Sequence, residues 1–194
     1  LGVPPQGRAD YAFIQHILKS MDAQNGRAAI LLPHGILFRN EERSMREKLI
    51  KSDLVEAVIG LGPNLFYNAP MEACILVCRS KKESKKVNKI LFINAVKEIS
   101  RENYQTSLSD EHIKKISNSY LGYEDVENFS RAVHITEIEE NGYSLSIPLY
   151  VRDKKEHLNL DERSLQERFD KWNQYSEVVR SALLKLNDIL EGEK

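Results

Sequence analysis

The chain lacks an excess charge of either sign, has only two cysteines and contains no long apolar run. Each shortage excludes a class of function. Twenty-eight Lys and Arg against 29 Asp and Glu leave a formal net charge of −1 over 194 residues. That balance excludes a nucleic-acid binder acting through bulk positive charge, but not a local basic patch. No apolar run approaches the roughly 20 residues that a membrane-spanning helix needs, and the N-terminal residues have no signal-peptide layout. Cys74 and Cys78 are the only cysteines. On one strand they stand about 13 Å apart at about 3.3 Å per residue, whereas a disulfide needs Cα atoms within about 7 Å. They read as small core residues of a reducing, cytoplasmic compartment rather than as a redox or metal pair. His16, His112, His134 and His157 have no metal-ligand spacing, so no metal site is expected. No Gly-rich phosphate loop precedes a helix, and no Ser/His/Asp grouping or carboxylate pair is recognisable from spacing. The sequon Asn128-Phe129-Ser130 is discounted, since nothing else indicates secretion.

What is present is an alternation of helical and extended patterns. Residues 10–25 place Phe13, Ile14, Ile17, Leu18 and Met21 at helical spacing, with Asp10 as a cap and Asn25-Gly26 as the stop. AAILLP (28–33) is a short apolar run without alternation, as expected of a strand covered on both faces. A short helix around 41–50 and a second run, LVEAVI (54–59), follow. Helix, strand, helix, strand with short connections predicts an α/β domain with parallel strands. ACILVC (73–78) and KILFINA (89–95) read as two more strands, and the basic RSKKESKK between them as a solvated hairpin-like turn, with phosphate contact the alternative. Residues 108–120 predict a helix capped by Ser109 with a Leu108/Ile113 staple, and 141–151 an extended edge segment held there by Pro148.

The charged stretch 152–163 reads as a linker before one long helix over 164–191. Ser164 and Glu167 match a capping box, and Leu165, Phe169, Trp172, Ser176, Val179, Leu183, Leu186 and Leu190 alternate spacings of four and three. Docking of a partner helix and folding back on the domain are the two readings of that stripe.

In a parallel α/β sheet, ligands bind at the carboxyl ends of the strands. Three segments are expected there: PHGILFRN (33–40), GLGPNLFYN (60–68) and the helix start at Asp10–Phe13. The adjacent aromatics Phe66 and Tyr67 follow a Gly/Pro loop, where an aromatic ring has a ligand or the sheet itself to touch. Core packing is the plain alternative for Phe13, a loop anchor for Phe66, and a hydrogen-bonded loop histidine for His34. Tyr67 reads as structural.

GRADYAFIQHIL, GRAAILLPHGILFR and DLVEAVIGLGPNLFYNAPMEACILVCR, continued through KILFINA, LSDEHIKKI and NGYSLSIPLYV, resemble the modification subunit of type I restriction-modification systems. The resemblance covers roughly residues 1–151, with a fitting helical tail. It implies an adenine-N6 DNA methyltransferase using S-adenosyl-L-methionine, on a Rossmann-like sheet of which this chain holds the C-terminal part. It also implies DNA, a specificity subunit and a restriction subunit as partners, with the tail helix serving assembly. Site residues carry over by position. Phe13 stands where the family places an aromatic on the cofactor adenine, with Asp10 and Tyr11 beside it. Pro33 and His34 end the strand of the next motif and line the site. Phe66 matches the aromatic that stacks on the target adenine, since chemistry on a base requires flipping it out of the duplex.

The family's glycine-rich cofactor loop and its Asn-Pro-Pro-aromatic tetrapeptide are missing; Val3-Pro4-Pro5-Gln6 lacks the asparagine and the aromatic. With those motifs missing and Leu1 in place of an initiating methionine, the chain reads as a piece of a longer protein, inactive alone. The alternative is a non-catalytic assembly module acting through residues 164–191. Without an upstream neighbour, strand 28–32 is expected to expose an edge that self-associates or is covered by residues 1–9 or the tail.

Overall fold

The computed structural model describes residues 1–67, 69–102, 105–151, 169–177, 179, 180 and 182. The chain divides into two compact units, Leu1–Arg152 and Asp153–Lys194. The first is built on a five-stranded mixed sheet with helices, an α/β arrangement. In chain order its elements are α1 (Asp10–Ser20), β1 (Arg27–Pro33), α2 (Arg43–Lys51), β2 (Val55–Leu61), β3 (Ala73–Arg79) and β4 (Lys89–Ala95). Then come β5 (Ser100–Glu102), β6 (Gln105–Ser107), α3 (Asp110–Gly122), β7 (Ser130–His134) and α4 (Ile135–Glu140). The short strands β5 and β6 pair only with each other.

The sheet order is β1-β3-β2-β4-β7. β1 and β2 each run antiparallel to β3 between them, and β2 runs parallel to β4. The three strands β1, β2 and β4 therefore point the same way, as the alternating pattern predicts. β3 does not, and the connection explains why. Among the described residues, none between β2 and β3 is helical, and without a crossover helix the chain can only turn back beside the strand it left. β7 adds a second antiparallel strand at the far edge.

This topology corrects the reading of residues 79–86. β3 and β4 are separated by β2, so the segment is no hairpin but passes beneath the amino end of β2. Two of its lysines are consequently buried: Lys86 Nζ donates to Glu56 Oε1 at 2.9 Å, and Lys82 Nζ donates to Asp53 Oδ1 at 2.6 Å. Neither is free for phosphate.

Apolar side chains alternate along the strands and feed a core on each face. Ile30, Leu32, Leu76, Val58, Ile90 and Phe92 meet α1, α2, α4 and the 141–151 segment on one side. Ala57, Ile59, Leu61, Leu91 and Ile93 meet Ile116, Tyr120 and Tyr123 of the α3 region on the other. On α1, Tyr11 and Ile14 are fully buried, with Ile17, Leu18 and Met21 packed against that core. Phe13 is about 200° round the helix from Tyr11 at 3.6 residues per turn, so it leaves the buried stripe. α1 ends at Ser20 rather than at Asn25-Gly26, and Asp22 closes the next turn by accepting from the Gln24 and Asn25 amides at 3.0 and 2.7 Å. Ser109 caps α3 as predicted, in a reciprocal box with His112. The 141–151 segment is no edge strand: Ile147–Leu149 forms one 3-10 turn and Tyr150 packs on Phe92, ring centroids 4.3 Å apart. Pro148 suits that turn because the first residues of a helix need no N–H partner.

β1 is an edge strand. The His34 amide donates to the Glu72 carbonyl and the Ser80 amide to the Gly26 carbonyl. With the β1/β3 register this turns the even-numbered backbone groups of β1 toward β3 and the odd-numbered ones outward. Pro33 is odd, so its missing N–H falls on the open side, where no ladder bond is lost. Among the described residues, 1–9 make no backbone hydrogen bond to β1; the proposed linker, 152–163, lies outside them.

In the second unit, residues 169–177, 179, 180 and 182 are helical; the rest of the predicted 164–191 helix lies outside the described residues. Phe169, Trp172, Tyr175 and Val179 are exposed on it.

Candidate active-site edge

The strand register sets the geometry of the candidate site. Pro33 pairs with Ala73, Ala73 with Leu61, and Leu61 with Ala95, so four strands reach the same level at one edge. Two ladder spacings, about 9.5 Å, separate β1 from β2 there. The loop after β1 (34–40) and the loop after β2 (62–72) both leave from this edge. Arg39 Nη1 donates to Asp10 Oδ2 at 3.1 Å, and the Tyr11 hydroxyl donates to the Ile36 carbonyl at 3.4 Å. These contacts bring the start of α1 to the same edge. Asp10–Phe13 and Pro33–His34 thus meet at this rim, and Phe66 lies in the loop that leaves it after β2.

Their environments differ. The Phe13 side chain is 65% exposed and Phe66 36% exposed. Pro33, Phe38, Tyr67 and Met71 are also exposed. Tyr67, 95% exposed, is not the structural anchor expected of it. Tyr11 departs in the other direction: it is fully buried, and burial pushes its phenol well above the usual range. In this structure the Tyr11 ring supports the start of α1 from within the core.

The loop carrying Phe66 is held at both ends. Asn64 adopts a left-handed conformation at φ 60°. The Ala69 amide donates to the Phe66 carbonyl at 3.0 Å. Gly62 lies where a Cβ would stand 2.6 Å from the Val96 carbonyl oxygen and 2.7 Å from an Ile99 methyl, so only glycine lets the loop pass. At its far end Glu72 grips His34 twice. Its carbonyl accepts from the His34 amide at 3.4 Å, and its carboxylate meets His34 Nδ1 at 3.1 Å. The ring lies edge-on to Phe38, centroids 6.2 Å apart, and Nε2 is buried without a hydrogen-bond partner. His34 is therefore both a hydrogen-bonded loop histidine and a residue of the rim.

The family model described as N-6 DNA Methylase matches residues 1–159. The chain belongs to the N-6 DNA methylase family. It is 35% identical over 198 residues to the MjaVIII type I restriction enzyme methylase subunit of Methanocaldococcus jannaschii, covering 98% of this chain and 34% of that protein. It is 32% identical over 191 residues to the MpnII methylase subunit of Mycoplasma pneumoniae, with 98% and 34% covered. Among solved structures, the type I restriction-modification methyltransferase subunit of Streptococcus thermophilus matches with a TM-score of 0.71 at 36% identity, over 76% of this chain and 31% of that one. The M protein of EcoKI shares the fold at 18% identity, with a TM-score of 0.61 over 79% of this chain and 40% of that one. The chain spans about a third of the length of the curated relatives it matches.

Among the described residues no three His, Cys, Asp or Glu side chains are grouped to hold a metal ion, and no helix is long and apolar enough to cross a membrane. Cys74 and Cys78 are buried free thiols, each pushed up to about 12 by that burial. Sequence reading passed over Arg39, Glu42 and Glu72. Their signal was faint, since each is a single charge in a polar loop and only its folded neighbours give it a role.

Proposed function

We propose that this chain is part of a type I modification subunit that methylates adenine at N6 in DNA, using S-adenosyl-L-methionine. In this reading Phe13 packs on the cofactor adenine and Phe66 stacks on the flipped-out target base. The observation that carries it is the exposure of both rings at the one sheet edge where the strands β1 and β2 end. Base–aromatic stacking contributes about 1–3 kcal/mol per base, enough to hold an unpaired purine out of the duplex. The adenine end of the cofactor has the exposed Phe13 ring available to it, with Asp10, one turn before it on α1, tied to Arg39. The cofactor supplies the methyl group. The chain's own part is to seat two flat rings on apolar surface, while the 62–72 loop keeps water from one side of the base.

The glycine-rich loop and the Asn-Pro-Pro-aromatic tetrapeptide do not occur in the 194 residues. We therefore expect the isolated chain neither to hold the cofactor tightly nor to transfer a methyl group. In the whole subunit with its specificity subunit, Phe66→Ala should lower the fluorescence response of a 2-aminopurine placed at the target adenine and reduce kcat/KM. An unchanged response removes Phe66 from base binding.

A second reading is supported by the exposed Phe169, Trp172, Tyr175 and Val179 on the tail helix. The helix docks against helices of the specificity or restriction subunit, and assembly is this segment's main work. Capture of the specificity subunit by a version ending at residue 151 tests it; undiminished capture rejects the tail as the docking element.

A further inference from the structure

The loop after β1 carries a charged side chain that reaches the helix bearing Phe13. We propose that Arg39 is a positioning residue for the cofactor side of the site, fixing where Phe13 stands. The proposal rests on the reading of Phe13 given above.

Arg39 spans two acidic groups. Its Nη1 lies 3.1 Å from Asp10 Oδ2 and 3.6 Å from Glu42 Oε2. Asp10 and Phe13 are three residues apart on α1, which makes them neighbours on the same helix surface. The guanidinium therefore grips α1 beside the ring that the proposed function places on the cofactor. Behind it, Glu42 is fully buried, and neither of its carboxylate oxygens has a hydrogen-bond partner. A buried carboxylate is tolerated with a cation near it or in its neutral form; Arg39 is the cation within ion-pair range, and Arg46 also favours the ionised form. Gly35 leaves the space: a Cβ there would stand 2.7–2.8 Å from the Arg39 nitrogens Nε and Nη2.

The backbone of Arg39 is itself fixed. Buried Arg46 donates from Nη1 to the Arg39 carbonyl at 3.0 Å and to the Ile36 carbonyl at 3.3 Å, and from Nε to the Tyr143 carbonyl at 2.7 Å. The linkage runs from the core through Arg46 to the Arg39 backbone, then through the guanidinium to Asp10 and the face of α1 that carries Phe13. One guanidinium nitrogen, Nη1, faces both carboxylates, and the planar group behind it fixes that nitrogen's direction in a way a freely rotating lysine ammonium does not.

The test uses the whole modification subunit with its specificity subunit, and follows the KM for S-adenosyl-L-methionine, the KM for DNA and kcat. Asp10→Asn, which leaves Glu42 its cation, should raise the cofactor KM about tenfold, the scale of one charge-assisted hydrogen bond. Arg39→Met should do the same, and Arg39→Lys should fall between it and the native protein. KM for DNA should stay within about twofold throughout, because a positioning effect confined to the cofactor side removes binding there alone. The double variant Asp10→Asn/Arg39→Met should be no worse than the worse single, since both break one contact. An unchanged cofactor KM in Asp10→Asn, or effects that multiply in the double variant, overturns the proposal. So does an equal rise in both KM values, which is the mark of general loosening. Phe13→Ala separates the two readings. If it raises the cofactor KM while Asp10→Asn does not, only the Arg39 linkage falls; if it leaves that KM unchanged, the role of Phe13 falls as well.

Discussion

Lys86 reaches Glu56 from below the amino end of β2, Nζ to Oε1 2.9 Å, with both side chains almost wholly shielded from water. Glu56 is the second residue of an otherwise apolar strand, and its second oxygen accepts from the Tyr120 hydroxyl at 2.8 Å. Removing Lys86 leaves the buried carboxylate with only the more distant Arg79 as cation, Nε to Oε2 3.4 Å. Lys86→Met should therefore destabilise the folded chain by about 3–5 kcal/mol. Replacing both, as Glu56→Leu with Lys86→Met, should restore much of that loss. Urea unfolding followed by circular dichroism measures both, and a loss under about 1 kcal/mol for Lys86→Met, the size of a surface pair, would show that the pair is not insulated from water.

The same carboxylate sets a pH dependence. Burial pushes Glu56 upward, but hydrogen bonds from Lys86 and Tyr120 and the charges of Lys86 and Arg79 outweigh it and leave the group below its ordinary range. A lowered folded value means that the contribution is present above the unfolded carboxylate pKa and is lost as pH falls through the folded value. Glu42 has the opposite sign: burial raises it, against the Arg39 charge. Its contribution is full below the unfolded value and is lost as pH rises through the folded one. Stability curves should thus flatten on the acid side for Glu56→Gln, and lose a decline toward neutral pH for Glu42→Gln. Parallel curves for all three proteins would contradict both assignments.

Gly62→Ala tests the approach of the 62–72 loop to residues 96–99. A methyl there overlaps the Val96 carbonyl oxygen and Ile99, so overpacking should lower stability by about 1–3 kcal/mol. The thermal midpoint reads the loss, and a neutral substitution would mean that the loop has room to shift.

Glu72→Ala should free the Phe66 loop without unfolding the sheet. The pair with His34 is partly exposed, so the global loss should stay within about 1 kcal/mol. Amide hydrogen exchange should quicken over residues 63–72 and hardly change in β2 and β4. Unaltered exchange in the loop would show that the backbone contacts hold it unaided.

The apolar-rich runs were legible as strands because short segments of this kind, bounded by polar and turn residues, suit a buried sheet, and KILFINA matches β4 residue for residue. The capped start of α3 was legible for a similarly local reason. β7 was missed because SRAVH has too few apolar residues to announce a strand; it pairs at an edge. The direction of β3 was not legible either, since a strand's pattern is the same read in either direction.

Periodicity and element order by themselves determined the α/β class and which loops leave from the carboxyl edge, because these follow from local preference and from the rule that parallel strands end together; the family rested on the resemblance of whole segments to known members. Only the tertiary structure decided that Tyr11 turns inward while Phe13 turns outward, that Lys82 and Lys86 lie buried against acids, and that Arg39 joins Asp10 to Glu42. The physical reason is that a side chain's partner depends on which distant segment packs over it, and charged residues of the same kind are solvated or buried according to where the chain crosses.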